Sequence, residues 1–324
     1  NKMEFSFSDN KWLTREQIDS DVQIENKNAL GFHIPGMWDK ILDLNRCYLQ
    51  RDPSNAIRDF VKAEGERLEM AFFNTRKQEG LLRTLMIRTT SIGEIMVVVQ
   101  LYQDHEQKRT ALLDAIQLKF PEITSLQYVI NNKGNDTIYD QEVICHAGRD
   151  HIFEEMEGLK FKINAKSFYQ TNSEQAYELY KITRDFARLT GNELVYDLYT
   201  GTGTIAQFVA KKAKKVIGVE AVPDAITAAK ENAQLNGIEN VEFLVGDMKN
   251  VFNQEFINTY GKADVVITDP PRDGMHKDVV AQLLELSAAK IVYVSCNSAT
   301  QARDLAILDE QYKVTRVQPV DMFP

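Results

Sequence analysis

The sequence predicts an α/β protein in which a doubly wound parallel sheet follows a smaller α+β domain, with limits at residues 1–162 and 163–324. In the first part, apolar and polar residues alternate over short segments, which is the period of half-buried strands. In the second part, strands alternate with helical segments of roughly ten to fifteen residues, which indicates a helix-covered parallel sheet. A glycine-rich turn at Gly201 and Gly203 joins a strand to a helix, as at the ligand-binding edge of such sheets.

The first domain combines antiparallel strands with a few helices, which is the pattern of an α+β fold. Apolar residues at positions 3, 5 and 7 predict its first strand. The further predicted elements are a hairpin at 29–44, a helix at 54–73, two strands within 81–102 that turn at 91–94, and a helix at 108–120.

The composition is that of an ordinary globular protein, with 44% hydrophobic and 26% charged residues. No apolar run of about eighteen residues and no signal peptide is visible, so we expect no membrane span. Cys47, Cys145 and Cys296 are too few and too scattered for a disulfide framework, which favours a cytoplasmic protein. The sequence opens at Asn1 within an alternating pattern and stops at Pro324, so we expect a fragment of a longer protein.

The net charge of −9 argues against a generic nucleic-acid binder, which usually carries a basic face. A local basic patch is still compatible with this charge, because net charge says nothing about distribution. Lys2, Arg83 and Arg88 lie on predicted strands of the first domain. Two interpretations are open: they form a phosphate-binding surface, or they are simply solvated.

The segment from 193 to 210, "ELVYDLYTGTGTIAQFVA", predicts a strand, a glycine-rich turn and a helix. Its glycines, Gly201 and Gly203, allow a tight turn and a close approach of the backbone to a ligand. With Ala206 they match a dinucleotide-binding fingerprint, and Glu220 at the end of the next strand is placed to hold a ribose. Two nucleotide-type cofactors fit this pattern, NAD and S-adenosylmethionine.

Acidic residues at the ends of successive strands favour S-adenosylmethionine. Asp197 lies two residues before Tyr199, Asp247 follows a third strand, and Asp269 follows a fourth. Taken singly, each strand-terminal aspartate is equally well explained as a helix cap. Together with Glu220 they predict a ligand site, because open α/β sheets bind ligands at the carboxyl ends of their strands.

The segment from 291 to 300, "IVYVSCNSAT", places Cys296 where a fifth strand meets a helix. A lone cysteine is usually a core residue. A thiol at the start of a helix, in contrast, favours the thiolate, which is the reactive form. Ser298 and Thr300 are the predicted caps of that helix.

The chain resembles the RNA 5-methyluridine (uracil-5-) methyltransferases, which have a Rossmann-like catalytic domain. The matching segments span nearly the whole chain in the same order: "NKMEFSFS", "GLLRTLMIR", "SFYQTN", "DLYTGTGTIA", "GVEAVPDAITAAKENAQLNG", "DPPRDGM", "VSCNSAT" and "DMFP". The resemblance implies that the protein methylates carbon 5 of a uridine with S-adenosylmethionine, through a covalent adduct of a cysteine at carbon 6.

By the same resemblance, Cys296 is the nucleophile. The implied cofactor-binding residues are Gln170, Tyr199, Gly201, Glu220, Asp247 and Asp269. The implied partner is structured RNA, with ribosomal RNA favoured over transfer RNA, and we expect a monomer. A NAD-linked oxidoreductase and a non-catalytic RNA-binding fragment stay open as alternatives.

Two features of the family have no counterpart in this sequence. The general base of the family is a glutamate a few residues beyond "DMFP", so we expect the base to lie beyond Pro324. Many relatives also carry four cysteines for an iron–sulfur centre. Only Cys47 falls on one of those positions, and we therefore predict no metal site in this chain.

Overall fold

The structure, a computed structural model, describes residues 1–20 and 25–323. The chain forms two compact units. The N-terminal unit comprises Asn1–Glu154 and Ile163–Lys166, and the C-terminal unit comprises Glu155–Lys162 and Ser167–Pro324. Residues 155–162 therefore belong to the C-terminal unit and residues 163–166 to the N-terminal unit, whereas the sequence predicts a single boundary in this region. Of the helices in the described ranges, none is both long and apolar enough to cross a membrane.

Within the described residues, the N-terminal unit is built on a mixed seven-stranded sheet. Its elements are β1 (Lys2–Ser8), α1 (Arg15–Asp19), β2 (Ala29–Ile34), β3 (Met37–Asp43), α2 (Ser54–Arg67), β4 (Leu82–Thr89), β5 (Ile95–Leu101), α3 (Glu106–Lys119), β6 (Ser125–Ile130) and β7 (Ile144–Gly148). The strand order is β3-β2-β1-β4-β5-β6-β7. Neighbouring strands are antiparallel except β5 and β6, which are parallel and are connected through α3.

One face of this sheet packs against α2 and α3 and forms the core of the unit. Phe5 and Phe7 of β1 point into it, because alternate side chains of a strand share a face. Ile57 of α2 and Ile116 of α3 meet them from the helical side, and all four side chains are buried. Burial of each such side chain contributes about 1.5–3 kcal/mol to folding.

The helix predicted over 54–73 ends early, at Arg67. Glu69 adopts a left-handed φ of 51°, which a continuing helix does not permit. The chain leaves the helix axis there, and Phe72 instead forms a bridge with Leu82 at the start of β4. The second predicted helix, 108–120, is observed as α3.

Both interpretations of the strand arginines are wrong, because Arg83 and Arg88 are buried. The guanidinium of Arg83 donates to the carbonyl oxygens of Asn131 and Lys133, at 2.9 and 2.7 Å. Burial lowers the pKa of Arg88 to about 10. These cations hold loops in place and are not a phosphate-binding surface.

The C-terminal unit contains a five-stranded parallel sheet within the part of the chain that the structure describes. It follows the two-stranded pair β8 (His151–Met156) and β9 (Leu159–Asn164), whose residues are divided between the units. Its elements are α4 (Ser173–Ala187), β10 (Leu194–Leu198), α5 (Thr204–Ala210), β11 (Lys215–Glu220), α6 (Pro223–Leu235), β12 (Val241–Val245), α7 (Met248–Val251), α8 (Gln254–Tyr260), β13 (Val265–Thr268), α9 (Lys277–Leu286), β14 (Lys290–Tyr293) and α10 (Ser298–Leu308).

The order of the strands, β12-β11-β10-β13-β14, confirms the doubly wound sheet. From β10 the chain proceeds outward through β11 to β12, and then returns to the other side of β10 with β13 and β14. This change of direction creates a crevice at the carboxyl ends of β10 and β13, where ligands bind in such folds. Helices cover the sheet, and α9 and α10 pack on a face that presents Tyr196 and Leu198 of β10.

The start of α4 differs in detail from the sequence pattern, in which Thr171 and Glu174 have the spacing of a capping box. Asn172 is the N-cap, and its side chain accepts a hydrogen bond from the Gln175 N–H. Asparagine and threonine can both accept a hydrogen bond from a free N–H at a helix start. The sequence therefore predicts that a helix forms here more reliably than it predicts the first residue of that helix.

Candidate active site

A groove of about 2090 Å³ lies within the C-terminal unit, at the carboxyl ends of the parallel strands. Asp197, one of the acids that predict this site, is buried and does not line it, whereas the residues predicted to bind the cofactor or to act as the nucleophile all do. They are Gln170, Tyr199, Gly201, Glu220, Asp247, Asp269 and Cys296. They come from six separate segments of the sequence, and the parallel sheet brings all but Gln170 together because its strands end at one edge. Gln170 lies just before α4.

In the turn after β10, the position of Gly203 requires glycine, and Tyr199 has a strained backbone conformation. Gly203 has a φ of +74°, and a Cβ there would lie 2.6 Å from Phe243 Cζ and 2.9 Å from Ala229 Cβ. Gly201 has a φ of +57°, but a Cβ there would meet no atom within 4 Å. Tyr199 adopts a φ of 62°, which is unfavourable for an aromatic residue. Such strain is concentrated at functional sites, and Gly201 faces open space in which a ligand fits.

Glu220 fixes the glycine turn from the neighbouring strand. Its carboxylate accepts hydrogen bonds from the N–H of Gly201 at 3.1 Å and from the N–H of Val222 at 3.0 Å. The side chain therefore spans the two turns that follow β10 and β11. Each carboxylate oxygen has a second lone pair, so Glu220 keeps acceptor capacity for a further hydrogen bond.

Asp247 and Asp269 occupy different environments. Asp247 is the N-cap of α7 and accepts a hydrogen bond from the N–H of Lys249 at 3.0 Å, so the simpler helix-cap interpretation holds for it as well. Asp269 directly follows β13, and burial raises the pKa of its carboxyl to about 6. A buried carboxyl is stabilised as an anion when a cation binds beside it.

Asp197, near the end of β10, is the acidic residue whose importance the sequence shows least clearly. Burial raises the pKa of its carboxyl to about 7, against hydrogen bonding from the Thr200 hydroxyl and the Ala206 backbone. The charges of Asp269 and Glu220 raise it further. Oδ1 makes no hydrogen bond of standard geometry with the described residues. The spacing of Asp197 to Tyr199 was its only signal in the sequence.

Cys296 is exposed and lies in the turn between β14 and α10, residues 294–297, which we name the thiol turn. The cap of α10 is Asn297, whose side chain accepts a hydrogen bond from the Ala299 N–H at 3.1 Å, so the predicted caps Ser298 and Thr300 are wrong. The Ser295 hydroxyl accepts from the N–H of Asn297 at 3.1 Å. The thiol turn is thus held by its own hydrogen bonds, and the exposed Cys296 lines the groove.

A second turn, residues 270–275 after β13, is fastened to α10 and is named the β13 turn. The carbonyl oxygen of Arg272 accepts hydrogen bonds from Asn297 Nδ2 and from Thr300 Oγ1, both at 3.0 Å. Asp304 is buried and accepts from the N–H of Met275 at 2.8 Å. These contacts, which sequence patterns do not show, connect the thiol turn rigidly to the β13 turn.

The aromatic pair that precedes Gln170 is split by the structure. Tyr169 is buried and lies 5.9 Å from the ring of Phe161, so it packs in the core. Phe168 lines the groove and is 68% exposed. Both residues line the groove, but Phe168 is by far the more exposed of the two. Within residues 1–20 and 25–323, no group of three or more His, Cys, Asp or Glu side chains is arranged to hold a metal ion.

The strand order, the glycine turn after the central strand and the acids along the adjoining edge are those of a methyltransferase that uses S-adenosylmethionine. Comparison with known proteins agrees. The family model of the tRNA (uracil-5-)-methyltransferases matches residues 74–324. The chain belongs to this family of RNA methyltransferases that depend on S-adenosylmethionine, and the alternative of a NAD-linked oxidoreductase is wrong.

Relatives of the chain cover its full length. It is 59% identical to an uncharacterized RNA methyltransferase of Bacteroides thetaiotaomicron, over 100% of this chain and 72% of that protein. It is 58% identical to one of Porphyromonas gingivalis, over 100% and 71%. Among solved structures it is similar to the tRNA (uracil-54, C5)-methyltransferase of Pyrococcus abyssi in complex with S-adenosyl-L-homocysteine. That similarity has a TM-score of 0.79 and 28% identity, and covers 100% of this chain and 72% of the other.

Proposed function

We propose that the protein methylates carbon 5 of a uridine in structured RNA, with Cys296 as a covalent nucleophile. One observation carries the proposal: the exposed thiol of Cys296 lines the same groove as the glycine turn and the acids that follow β11 and β13. A structural cysteine would be buried among apolar side chains, as Cys47 is.

The groove fits S-adenosylmethionine, which when bound supplies an electrophilic methyl group on a positively charged sulfonium. Asp269 and Asp247 give the cofactor end of the groove a negative charge that complements this cation. Glu220 accepts hydrogen bonds from ribose hydroxyls, and the open side of Gly201 admits the ligand close to the backbone. Gln170 and Tyr199 complete the set of proposed cofactor-binding residues.

The thiol is required because carbon 5 of uracil has no lone pair with which to attack a methyl group. The thiolate of Cys296 forms a bond to carbon 6, and the electron pair of the 5,6 double bond moves onto the ring as an enolate. Carbon 5 then takes the methyl group. Removal of the carbon-5 proton by a base restores the double bond and expels the thiolate, so the enzyme is regenerated. No described residue is assigned as that base: His276, near in sequence, caps α9.

The target uridine must leave its stack to reach the thiol, which costs least in a loop or a single strand. Phe168, exposed at the groove, is proposed to stack on a base of the substrate. We propose that the N-terminal unit also faces the RNA, and that the protein acts as a cytoplasmic monomer. Ribosomal RNA is the favoured target, and transfer RNA is the second candidate because of the similarity to the Pyrococcus enzyme.

The role of Cys296 is tested by comparing Cys296→Ala with Cys145→Ala in the intact protein, since both thiols are exposed. Cys296→Ala should abolish transfer of a radioactive methyl group to RNA while S-adenosylhomocysteine binding, measured by calorimetry, persists. Cys145→Ala should retain activity. RNA containing 5-fluorouridine should form a stable adduct with the wild type and not with Cys296→Ala, because fluorine at carbon 5 blocks the final elimination. Turnover by Cys296→Ala would overturn the mechanism.

The target RNA is tested by mapping 5-methyluridine in cells with and without the gene. Loss of a 5-methyluridine from ribosomal RNA supports the favoured target, and loss from transfer RNA supports the second. If the intact protein binds RNA but no 5-methyluridine is lost from either, the non-catalytic alternative is the better one.

A further inference from the structure

Arg272 presents a free positive charge in the groove that contains Cys296. Its side chain is exposed and lines the groove. Among the described residues, no carboxylate, hydrogen-bond acceptor or aromatic ring contacts its guanidinium. Arg184 pairs with Glu157 and Arg303 pairs with Asp304, whereas Arg188, which also lines the groove, resembles Arg272 in having no such partner among the described residues. An arginine left without an internal partner at a ligand-binding groove is available for an anion of the ligand.

The backbone of Arg272 is fixed although its side chain is free. Its carbonyl oxygen accepts the two hydrogen bonds from Asn297 and Thr300 that link the β13 turn to α10. Two residues on, Gly274 has a φ of +76°, and a Cβ there would lie 2.6 Å from Arg303 Nη2. Asn297 is the residue that follows Cys296. Its side chain caps α10 and also donates a hydrogen bond to the backbone of Arg272. A charge on a fixed support binds its ligand with a smaller loss of conformational entropy.

The charges along the groove indicate which ligand Arg272 meets. Glu220, Asp247 and Asp269 form the acidic end, which suits the cationic cofactor. A second cation has no reason to bind beside Arg272, whereas an RNA substrate brings a phosphate on each side of the reacting nucleotide. The planar guanidinium donates two parallel hydrogen bonds to phosphate oxygens, and phosphate contacts of this kind set the register of a nucleic acid without reading its sequence.

We propose that Arg272 binds a backbone phosphate next to the target uridine and so positions carbon 6 of the base at the sulfur of Cys296. This proposal rests on the proposed function. Arg272 is a substrate-binding residue in it, and Asn297 and Thr300 are positioning residues that act through its backbone. The competing explanation is that Arg272 serves only to stabilise the thiolate of Cys296, without contacting RNA.

The experiment compares Arg272→Ala and Arg272→Lys with a matched control, Lys277→Ala, which removes an exposed charge nearby in sequence that does not line the groove. The substrate is bulk RNA from cells that lack the gene. For Arg272→Ala we expect the KM for RNA to rise roughly ten- to hundredfold with a smaller change in kcat, as for loss of a charge-assisted hydrogen bond. Arg272→Lys should recover part of the loss, and Lys277→Ala should behave as wild type.

Two further measurements separate the explanations. Binding of a labelled hairpin RNA with a uridine-rich loop, followed by fluorescence anisotropy over a range of salt, should show the slope of log K against log salt reduced by about 0.7–0.9 in Arg272→Ala. The rate of alkylation of Cys296 by iodoacetamide should have the same pH profile in the variant and the wild type. An unchanged KM and salt slope, or a shifted alkylation profile with normal RNA affinity, would overturn the proposal.

The anisotropy experiment needs no methyl transfer. If methylation is never observed but the salt slope still falls in Arg272→Ala, the proposed function fails while the phosphate contact stands. If methylation is normal and the slope is unchanged, the contact fails alone. Thermal unfolding of Arg272→Ala should match the wild type, because the exposed side chain contributes no described contact to the fold.

Discussion

Replacing Asp197 by asparagine should change the stability of the C-terminal unit relative to wild type in a pH-dependent way, with the balance moving toward the variant as the pH rises. The carboxyl of Asp197 is buried beneath the glycine turn, and burial raises its pKa from 3.8 to about 7. Asparagine has nearly the same shape and still accepts the hydrogen bond from the Thr200 hydroxyl. The substitution therefore removes an ionisable group and leaves the packing intact.

The sign follows from proton linkage. A carboxyl whose pKa is higher in the folded state binds its proton more tightly there, so ionisation destabilises the fold as the pH rises from the unfolded value to the folded value. At about 1.4 kcal/mol for each pKa unit, the destabilisation by Asp197 is about 2 kcal/mol at pH 5 and about 4 kcal/mol at pH 8. The variant should thus gain about 2–3 kcal/mol relative to wild type between these pH values. A buried amide N–H without a partner lowers the absolute stability at every pH, and this cost cancels in the difference.

The assay must report on one unit at a time. Both tryptophans, Trp12 and Trp38, belong to the N-terminal unit, so tryptophan fluorescence in urea follows that unit and serves as the internal control. Hydrogen exchange of peptides that cover β10 and β13 follows the C-terminal unit, and its slowest amides give the free energy of unfolding. A difference between variant and wild type that stays constant from pH 5 to pH 8 would refute the reasoning, as would an equal shift in both units.

Two further outcomes are expected. Gly203→Ala should destabilise the C-terminal unit by about 1–3 kcal/mol in the same exchange experiment, because its Cβ would clash with Phe243. The control Gly237→Ala, with a φ of +62° and no atom within 4 Å of the added Cβ, should show only the smaller cost of the backbone conformation. Equal effects of the two substitutions would contradict the clash. Because the pKa of Asp269 is about 6, affinity for S-adenosylmethionine in calorimetry should fall about tenfold for each pH unit below that value, as the anion that complements the sulfonium is lost. Asp269→Asn should bind weakly with no such dependence, and a flat profile for the wild type would show that Asp269 does not meet the cofactor.

The sequence predicts the alternation of strands and helices in the C-terminal unit because each element there has a strong local signal. The N-terminal unit shows where local signals fail. Apolar periodicity continues through residues 68–73, yet α2 ends at Arg67 because Glu69 turns the chain toward β4. Arg83 and Arg88 look like surface residues in sequence, since the carbonyl groups that bind them come from segments far away in the chain.

The candidate site is predictable to the extent that it depends on strand ends. Glu220 and Asp269 follow strands of one parallel sheet, and this alone places them at a common edge. The hydrogen bond from Asn297 to the β13 turn and the burial of Asp197 depend on contacts between separate segments of the chain. No local sequence pattern predicts such contacts. The assignment of roles to these residues stays a prediction until the variants are measured.

The strand order separates the two halves of the proposed reaction. Most residues assigned to the methyl donor follow β10, β11, β12 and β13, whereas the nucleophile Cys296 follows the edge strand β14. Gln170, which precedes α4, and Arg272, in the β13 turn, lie outside this division. A fold arranged in this way allows the nucleophile to change in one short loop while the strand ends assigned to the donor are kept. Grafting a different loop onto β14 is accordingly the most economical route to an enzyme that keeps its methyl source and modifies a new atom.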